Sequence, residues 1–328
     1  MQIYLLLTEN CNLNCSMCIR GTQKGINISF DDIAKSKLIE EVKEHDIVIT
    51  GGEPTLHPQF EKIVQLMCDK AKTVTVTTNG TINYYLNEKF LRSNLMFQVS
   101  LDGDEETHNA IRGKGSFQKT FSTLKKMDEM NVAFSVASVA SSKNIDNMYN
   151  LRSILGDNLQ HMKYWRISYE MPFGCAELKN IVTADKWNNF VDNIIDGSEF
   201  RIKIQKIFPF SLYDKNKEKL DALVDTGLRR FNCGSGVNKI YIYPDWNVYS
   251  CTCLTDFPIG NIKNKAINEI LSNEKIKMFT NYRVNDDSIC KTCEYLKYCN
   301  GGCIGMSYHY FGQLGCGDVR CPKMGVCI

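Results

Sequence analysis

The sequence predicts an α/β fold: a partial (β/α)6 barrel of the TIM type, followed by a small Cys-rich domain. Three observations carry this. Short β-rich apolar runs alternate with stretches of helical apolar spacing every roughly 25–40 residues, the rhythm of parallel strands joined by right-handed crossovers. The chemistry-bearing residues fall just past the C-terminal ends of those runs, where such barrels gather function. Ten of the 15 cysteines lie between Cys233 and Cys327, and the last part of that segment is too poor in apolar residues to hold a fold without an inorganic staple.

The elements follow in order. Strands are expected at residues 3–7, 47–50, 73–77, 96–101, 132–139 and 164–169, each a short run rich in β-branched or aromatic residues. Helices are expected at 30–42, where Ile33, Leu38 and Val42 recur at helical spacing, and at 60–67, 117–130 and 145–155. Residues 1–182 form the barrel in this reading, 183–230 a helical bridge, and 231–328 the Cys-rich domain. The last domain opens with a hairpin, 239–243 and 247–250, around "PDW", and continues with a short helix at 260–271.

Bulk properties narrow the function. The chain has 328 residues, 43% hydrophobic content and a net charge of +2 with no long basic run, so nucleic-acid binding has no electrostatic support. The longest apolar runs are too short for a membrane span or a secretory signal. A cytoplasmic location is expected, and in that compartment clustered cysteines point to metal rather than disulfides.

"NCNLNCSMC" after the first strand places Cys11, Cys15 and Cys18 at C-x3-C-x2-C spacing. Three thiols are too many for one disulfide and too few for a closed structural zinc site. On a [4Fe–4S] cube they leave one iron open to another ligand. A zinc site completed by a distant residue is the competing reading. "TGGEPTLHP" follows the second strand. Gly51 and Gly52 there let the backbone approach a ligand closely, with carbonyls free to meet an ammonium group, and Glu53 orients the loop by accepting hydrogen bonds.

Together these two motifs resemble the radical S-adenosylmethionine (SAM) superfamily, whose CxxxCxxC and GGE patterns they match. The resemblance implies that SAM chelates the open iron and is split by one electron. The resulting 5′-deoxyadenosyl radical then takes a hydrogen from substrate. "SLDG", with Arg112 twelve residues after Ser100 in "HNAIRGKGSF", is similar to the peptide-modifying branch of that family. By that resemblance Ser100 and Arg112 bind the SAM carboxylate, a task suited to a planar guanidinium. Asn79 in "TTNG" reaches the nucleoside or caps a turn, and Asp102 contacts the ribose or organises its loop.

"CKTCEYLKYCNGGC" has spacing C-x2-C-x5-C-x3-C. With Cys233, "YIYPDWNVYSCTC" and "GNIKNKAINEILSN" it resembles a SPASM domain, which implies two auxiliary [4Fe–4S] clusters; zinc is again the competing reading. The resemblance assigns Cys290, Cys293, Cys299 and Cys321 to the outer cluster, and Cys303 to the inner one with Cys233 and Cys251. Lys239 stands where the family often has a further inner ligand. Either Cys253 substitutes, or the inner cluster keeps an open iron. Trp246 replaces the glycine usual in the hairpin turn. Cys316 and Cys327 are unassigned, and either is an alternative to Cys321. Cys68 reads as a packed small hydrophobe. Cys175, after "EMPFG" at the end of the sixth strand, is either a hydrogen donor of the kind some radical epimerases use or loop filler.

The resemblance favours maturation of a ribosomal peptide or protein by cross-link, thioether formation or epimerisation. It implies a peptide substrate and an electron donor such as a flavodoxin or ferredoxin. Because the first strand begins near Gln2, a separate leader-recognition protein, or recognition by the barrel itself, is expected. Thr252 stands where sulfatase maturases carry a basic aspartate, which lowers that reading. Dehydrogenation or epimerisation of a sugar or aminocyclitol is the alternative.

Overall fold

The computed structural model describes residues 1–21, 25–225, 233–263 and 265–325. Its six expected strands are β1 (Gln2–Leu6), β2 (Asp46–Thr50), β3 (Thr73–Thr78), β4 (Leu95–Ser100), β5 (Phe134–Ala140) and β6 (Trp165–Tyr169). Each pairs in parallel with the next in sequence. The helices between them are α1 (Phe30–Lys35), α2 (Lys37–Glu41), α3 (Phe60–Lys70), α4 (Glu105–Arg112), α5 (Ser116–Glu129) and α6 (Met148–Asn158).

Alternation along the strands separates two environments. Val74 and Val76 on β3, and Leu95, Phe97 and Val99 on β4, are buried in one apolar cluster with Ile63 and Met67 of α3 and Leu124 and Met127 of α5. Thr75, Thr77, Gln98 and Ser100 lie on the opposite face of these strands and are only half-buried. The helices therefore cover the apolar face, and the concave face is left polar and open enough for a ligand.

The bridge differs from its expected all-helical form. After α7 (Ala184–Ile195) comes β7 (Ile202–Lys203), which adds a seventh parallel strand beside β6 before α8 (Phe210–Lys215) and α9 (Lys217–Asp225). Its two residues are too few to show a strand period in sequence. The expected helix at 30–42 is broken at Ser36, whose extended backbone (ψ 153°) and hydroxyl bond to Ile33 O at 2.7 Å separate α1 from α2. No strand-like or helical run was expected at Glu105–Arg112. There α4 forms behind an Asp104 cap that accepts from Thr107 N at 3.1 Å.

The Cys-rich segment shares the barrel's sheet. Its hairpin, β8 (Lys239–Ile242) and β9 (Asn247–Tyr249), places β8 parallel to β1, and β10 (Pro258–Asn261) closes the order β10-β9-β8-β1-β2-β3-β4-β5-β6-β7. The expected helix at 260–271 is thus corrected: its first residues pair with β9, and only Ile267–Leu271 is helical. A side chain at Gly260 would come within 2.5 Å of Ile270 Cδ1, so glycine is what lets that helix lie on the strand. Trp246 takes the left-handed turn conformation of the glycine it replaces (φ 68°) and buries its ring.

Ile240, Ile242 and Val248 of the hairpin are fully buried in the same cluster as the barrel's Ile3 and Leu5. We expect Ile240→Ala to cost about 2–5 kcal/mol and to shift barrel and hairpin in a single denaturation transition. Two transitions, with only one displaced, would contradict the shared core.

Candidate metal and cofactor centres

The loop carrying Cys11, Cys15 and Cys18 is fastened by backbone contacts from three directions. Gly52 N donates to Thr8 O at 2.7 Å and Glu53 N to Asn10 O at 2.8 Å. Ser16 N donates to Ile111 O at 3.1 Å, and Cys175 N to Cys18 O at 2.9 Å. A Cβ on Gly51 would sit 2.5 Å from Thr8 O, and one on Gly52 would meet Asn10 O. The two glycines therefore admit the neighbouring cysteine loop, where the sequence suggested a ligand. The three thiols lie close enough on this loop for their charges to interact. Burial pushes Cys15 up to about 11 against the opposing charge of Arg112, and burial also raises Cys11. Bringing thiolates together here is costly without a cation to offset them.

Glu53 is the pin beneath that loop. It is 1% exposed and accepts hydrogen bonds from Thr55 Oγ1 (2.7 Å), Thr55 N (3.2 Å), Thr78 Oγ1 (2.6 Å) and Asn79 N (2.7 Å). Burial raises its pKa while these donors pull it down. Asn79 performs the turn role: its Oδ1 accepts from Thr81 N at 2.9 Å, and its Nδ2 donates to Asn12 of the cysteine loop at 2.9 Å.

Asp102 organises the loop after β4. Its carboxylate accepts from Val139 N at 2.8 Å and is ion-paired with Arg112 Nε, while its carbonyl accepts from Asn144 Nδ2 at 2.8 Å. Arg112 is buried rather than a helix-surface ion pair. Among the described residues its bond to protein is through Nε, and the guanidinium lies close enough to Cys15 and Cys18 for their charges to interact. Ser100, at the end of β4 on the concave face, is half-buried, and no hydrogen bond of its hydroxyl is seen among the described residues.

Sequence reasoning assigned no role to His108 or Glu170. His108 lies one helical turn before Arg112. Its Nδ1 accepts from Asp102 N at 3.1 Å, and burial lowers its pKa to about 4, so the ring is neutral. The fully buried Nε2–H then has no acceptor. The signal for His108 was its i, i+4 spacing to Arg112. Glu170, just past β6, is 3% exposed and its pKa is raised by burial. A lone carboxylate after an aromatic strand gave no comparable signal.

The tail cysteines form two groups. Cys290, Cys293, Cys299 and Cys321 line a single pocket with Phe208, Phe210 and Met324. Cys316 does not line that pocket; its amide donates to Ser307 Oγ at 2.8 Å and its carbonyl accepts from Ser288 Oγ at 2.9 Å. Cys327 lies outside the described residues. In the second group Cys251, Cys253 and Cys303 face one another, with Cys233 and Lys239 beside them. The Cys253 thiol pulls Cys251 down to about 7 by hydrogen bonding to it, helped by the Cys253 amide, which donates to Cys251 Sγ at 3.4 Å, and by Lys239. Arg20, two residues past Cys18, donates to Tyr243 OH at 3.0 Å and stands near Cys253, joining the first cysteine loop to this group.

Cys68 is packed in the core, where burial raises it to about 11. Among the described residues no three Cys, His, Asp or Glu side chains converge as tightly as a single metal ion needs. Thiols in sets around a pocket, a half-buried hydroxyl and a buried guanidinium fit iron–sulfur clusters and an amino-acid headgroup.

Residues 5–141 match the model of the radical SAM superfamily, and residues 233–294 that of the SPASM iron-sulfur cluster-binding domain. The chain carries a radical SAM domain followed by a SPASM domain. Three relatives each align with about nine-tenths of it. The antilisterial bacteriocin subtilosin biosynthesis protein AlbA of Bacillus subtilis is 25% identical over 90% of this chain, which spans 65% of AlbA's length. A cysteine-type anaerobic sulfatase-maturating enzyme of Clostridium novyi is 25% identical over 90% of this chain and 85% of its own length. An AdoMet-dependent heme synthase of Methanosarcina barkeri is 24% identical over 94% and 92%. Among solved structures, Streptococcus suis SuiB bound to S-adenosylmethionine superposes with a TM-score of 0.78 at 14% identity, over 99% of this chain and 77% of that one. This likeness is one of fold. No described helix is long and apolar enough to cross a membrane.

We expect Cys15→Ala to lose about four of the irons bound per chain on anaerobic reconstitution and to retain the rest, as counted by iron and sulfide analysis. Loss of all iron would mean that the N-terminal and tail cysteine groups do not assemble their centres independently.

Proposed function

We propose that this radical SAM chain modifies a ribosomally made peptide or protein by hydrogen abstraction, leading to a cross-link, a thioether or an epimerised residue. The observation that carries the radical step is the approach of the buried Arg112 guanidinium, at the end of α4, to the thiols of the loop after β1. Cys11, Cys15 and Cys18 would hold a [4Fe–4S] cluster, which would supply the electron for cleavage of bound SAM to a 5′-deoxyadenosyl radical.

The protein's own part is binding and exclusion. Arg112 keeps its charge through the buried bond to Asp102 and offers the opposite edge to the SAM carboxylate. Ser100 completes that contact from β4. Glu53 holds the Gly51-Gly52 backbone against the cysteine loop, so the headgroup site is fixed before SAM arrives. Asn79 ties the same loop to β3.

In the tail, Cys290, Cys293, Cys299 and Cys321 hold an outer auxiliary cluster in this reading. Cys233, Cys251, Cys253 and Cys303 hold an inner one, Cys253 taking the place that Lys239 cannot fill. Cys175 serves as hydrogen donor only if the outcome is epimerisation; its amide is fixed on Cys18 O beside the first cysteine loop. An electron donor of the flavodoxin or ferredoxin kind completes the system.

Peptide maturation is favoured by the similarity to AlbA, whose name places it in bacteriocin biosynthesis. Sulfatase maturation is disfavoured by Thr252, which has no carboxylate to take a proton and whose hydroxyl sits 3.4 Å from Tyr243 OH. The similarity to a heme synthase keeps a small-molecule substrate as the second reading.

Anaerobic enzyme should form 5′-deoxyadenosine faster in the presence of its precursor peptide, with a mass change in that peptide. Stimulation by a small polyol or a tetrapyrrole alone would move the substrate to the second class, and no SAM cleavage at all would end the reading. Iron should approach about 12 per chain if three cubane clusters assemble; a value near four would remove the auxiliary pair. Cys175→Ala should leave SAM cleavage intact and abolish product only if the product is an epimer.

A further inference from the structure

Tyr282 stands between the two cysteine groups of the tail. It is 5% exposed, and its fully buried hydroxyl has no hydrogen-bond partner among the described residues. Burial raises the phenol's pKa, and Cys290 of the outer group, Cys303 of the inner group and Cys316 lie close enough for their charges to add to that rise. The backbone amide of Gly315 lies near the hydroxyl, but an amide can only donate, so the phenol's own proton has no acceptor. Gly301, which lines the pocket of the four outer cysteines, has φ +73°; a Cβ there would sit 3.7 Å from the Tyr282 oxygen. The hydroxyl therefore abuts the wall of that pocket, and only a glycine stands at that point of the wall.

A buried hydroxyl without an acceptor costs about 1–3 kcal/mol, and native interiors rarely keep one. The backbone holds this phenol in place: Tyr282 O accepts from Arg283 Nη1 at 2.7 Å, and the next turn is tied to the tail through Asn285 N on Gly315 O at 2.9 Å. Phenylalanine would fill the same apolar space without the polar atom. The oxygen thus has a use that the protein alone does not supply. Sulfur of an iron–sulfur cluster, whether bridging sulfide or thiolate, accepts such protons and gains electron density on reduction.

We propose that Tyr282 donates a hydrogen bond to a sulfur of the outer auxiliary cluster, the one held by Cys290, Cys293, Cys299 and Cys321, and so raises its reduction potential. A donor at sulfur stabilises the reduced, more negative state. Tyr282 is a positioning residue that tunes one centre of the pair and touches no substrate. The inference rests on the two-cluster reading of the tail.

The test uses anaerobically purified, fully loaded enzyme and Tyr282→Phe, compared by iron content, by redox titration of the auxiliary spectroscopic signals, and by electron–nuclear double resonance in H2O and D2O. The expected variant keeps wild-type iron, shows one auxiliary midpoint moved to more negative potential, loses a strongly coupled exchangeable proton from that signal, and leaves the N-terminal centre unchanged. Unchanged auxiliary midpoints at full iron overturn the proposal, as does selective loss of outer-cluster iron, which would make the residue structural. The wild-type protein alone provides a check independent of the variant's folding: no exchangeable proton coupled to either reduced auxiliary signal also overturns it. Failure of the two-cluster reading would look different, as low iron in the wild-type chain itself.

Discussion

The arrangement at the barrel mouth depends on one close approach, the backbone of the loop after β2 against the backbone of the loop after β1. Gly52 N on Thr8 O and Glu53 N on Asn10 O stitch them together, and no side chain larger than hydrogen fits at Gly51 or Gly52. Beneath this seam the buried Glu53 carboxylate gathers donors from its own loop and from the end of β3. Three successive strand ends are thereby locked to one another. The cysteine loop inherits that rigidity, which a site for positioned radical chemistry needs.

Charge is handled by pairing rather than exposure. Arg112 and Asp102 form a buried ion pair on one side of the cysteine loop, and Arg320 and Asp318 form another on the tail side. Such pairs add little net stability, because desolvation offsets their attraction. Their value here is positional. Asp102 fixes Arg112 through its Nε, close to Cys15 and Cys18. Asp318 accepts from Cys303 N at 2.9 Å and so holds the thiol that joins the two tail groups. Arg20, through Tyr243, ties the first cysteine loop to the hairpin group, so the barrel's chemistry and the tail are mechanically one assembly.

Several residues change meaning between the two views. Gly51 and Gly52 were legible as close-approach positions, but the partner is the protein's own backbone. Asn79 was legible as a turn former, and it also reaches Asn12. Cys253 had no certain place in sequence, whereas in space it faces Cys251 and Cys303. Cys321 falls with Cys290, Cys293 and Cys299, and Cys316 does not, a choice that spacing alone left open. His108, Glu170 and Tyr282 were missed because each is a single polar residue in an apolar or loop context. Nothing in a linear pattern shows that such a residue will be buried without a partner.

The sequence by itself determined the strand order, the cysteine loop after β1, the Gly-Gly-Glu turn after β2 and the division of the thiols into an N-terminal and a C-terminal set. These follow from local periodicity and short spacing, which the chain cannot rearrange. Tertiary structure alone decided the short β7, the broken helix at Ser36, the strand that replaces the first part of the helix expected at 260–271, and the pairing of β8 with β1. It also decided which thiols share a pocket and which buried hydroxyls lack partners. Those outcomes depend on contacts between residues tens to hundreds of positions apart, where packing and burial override local preference.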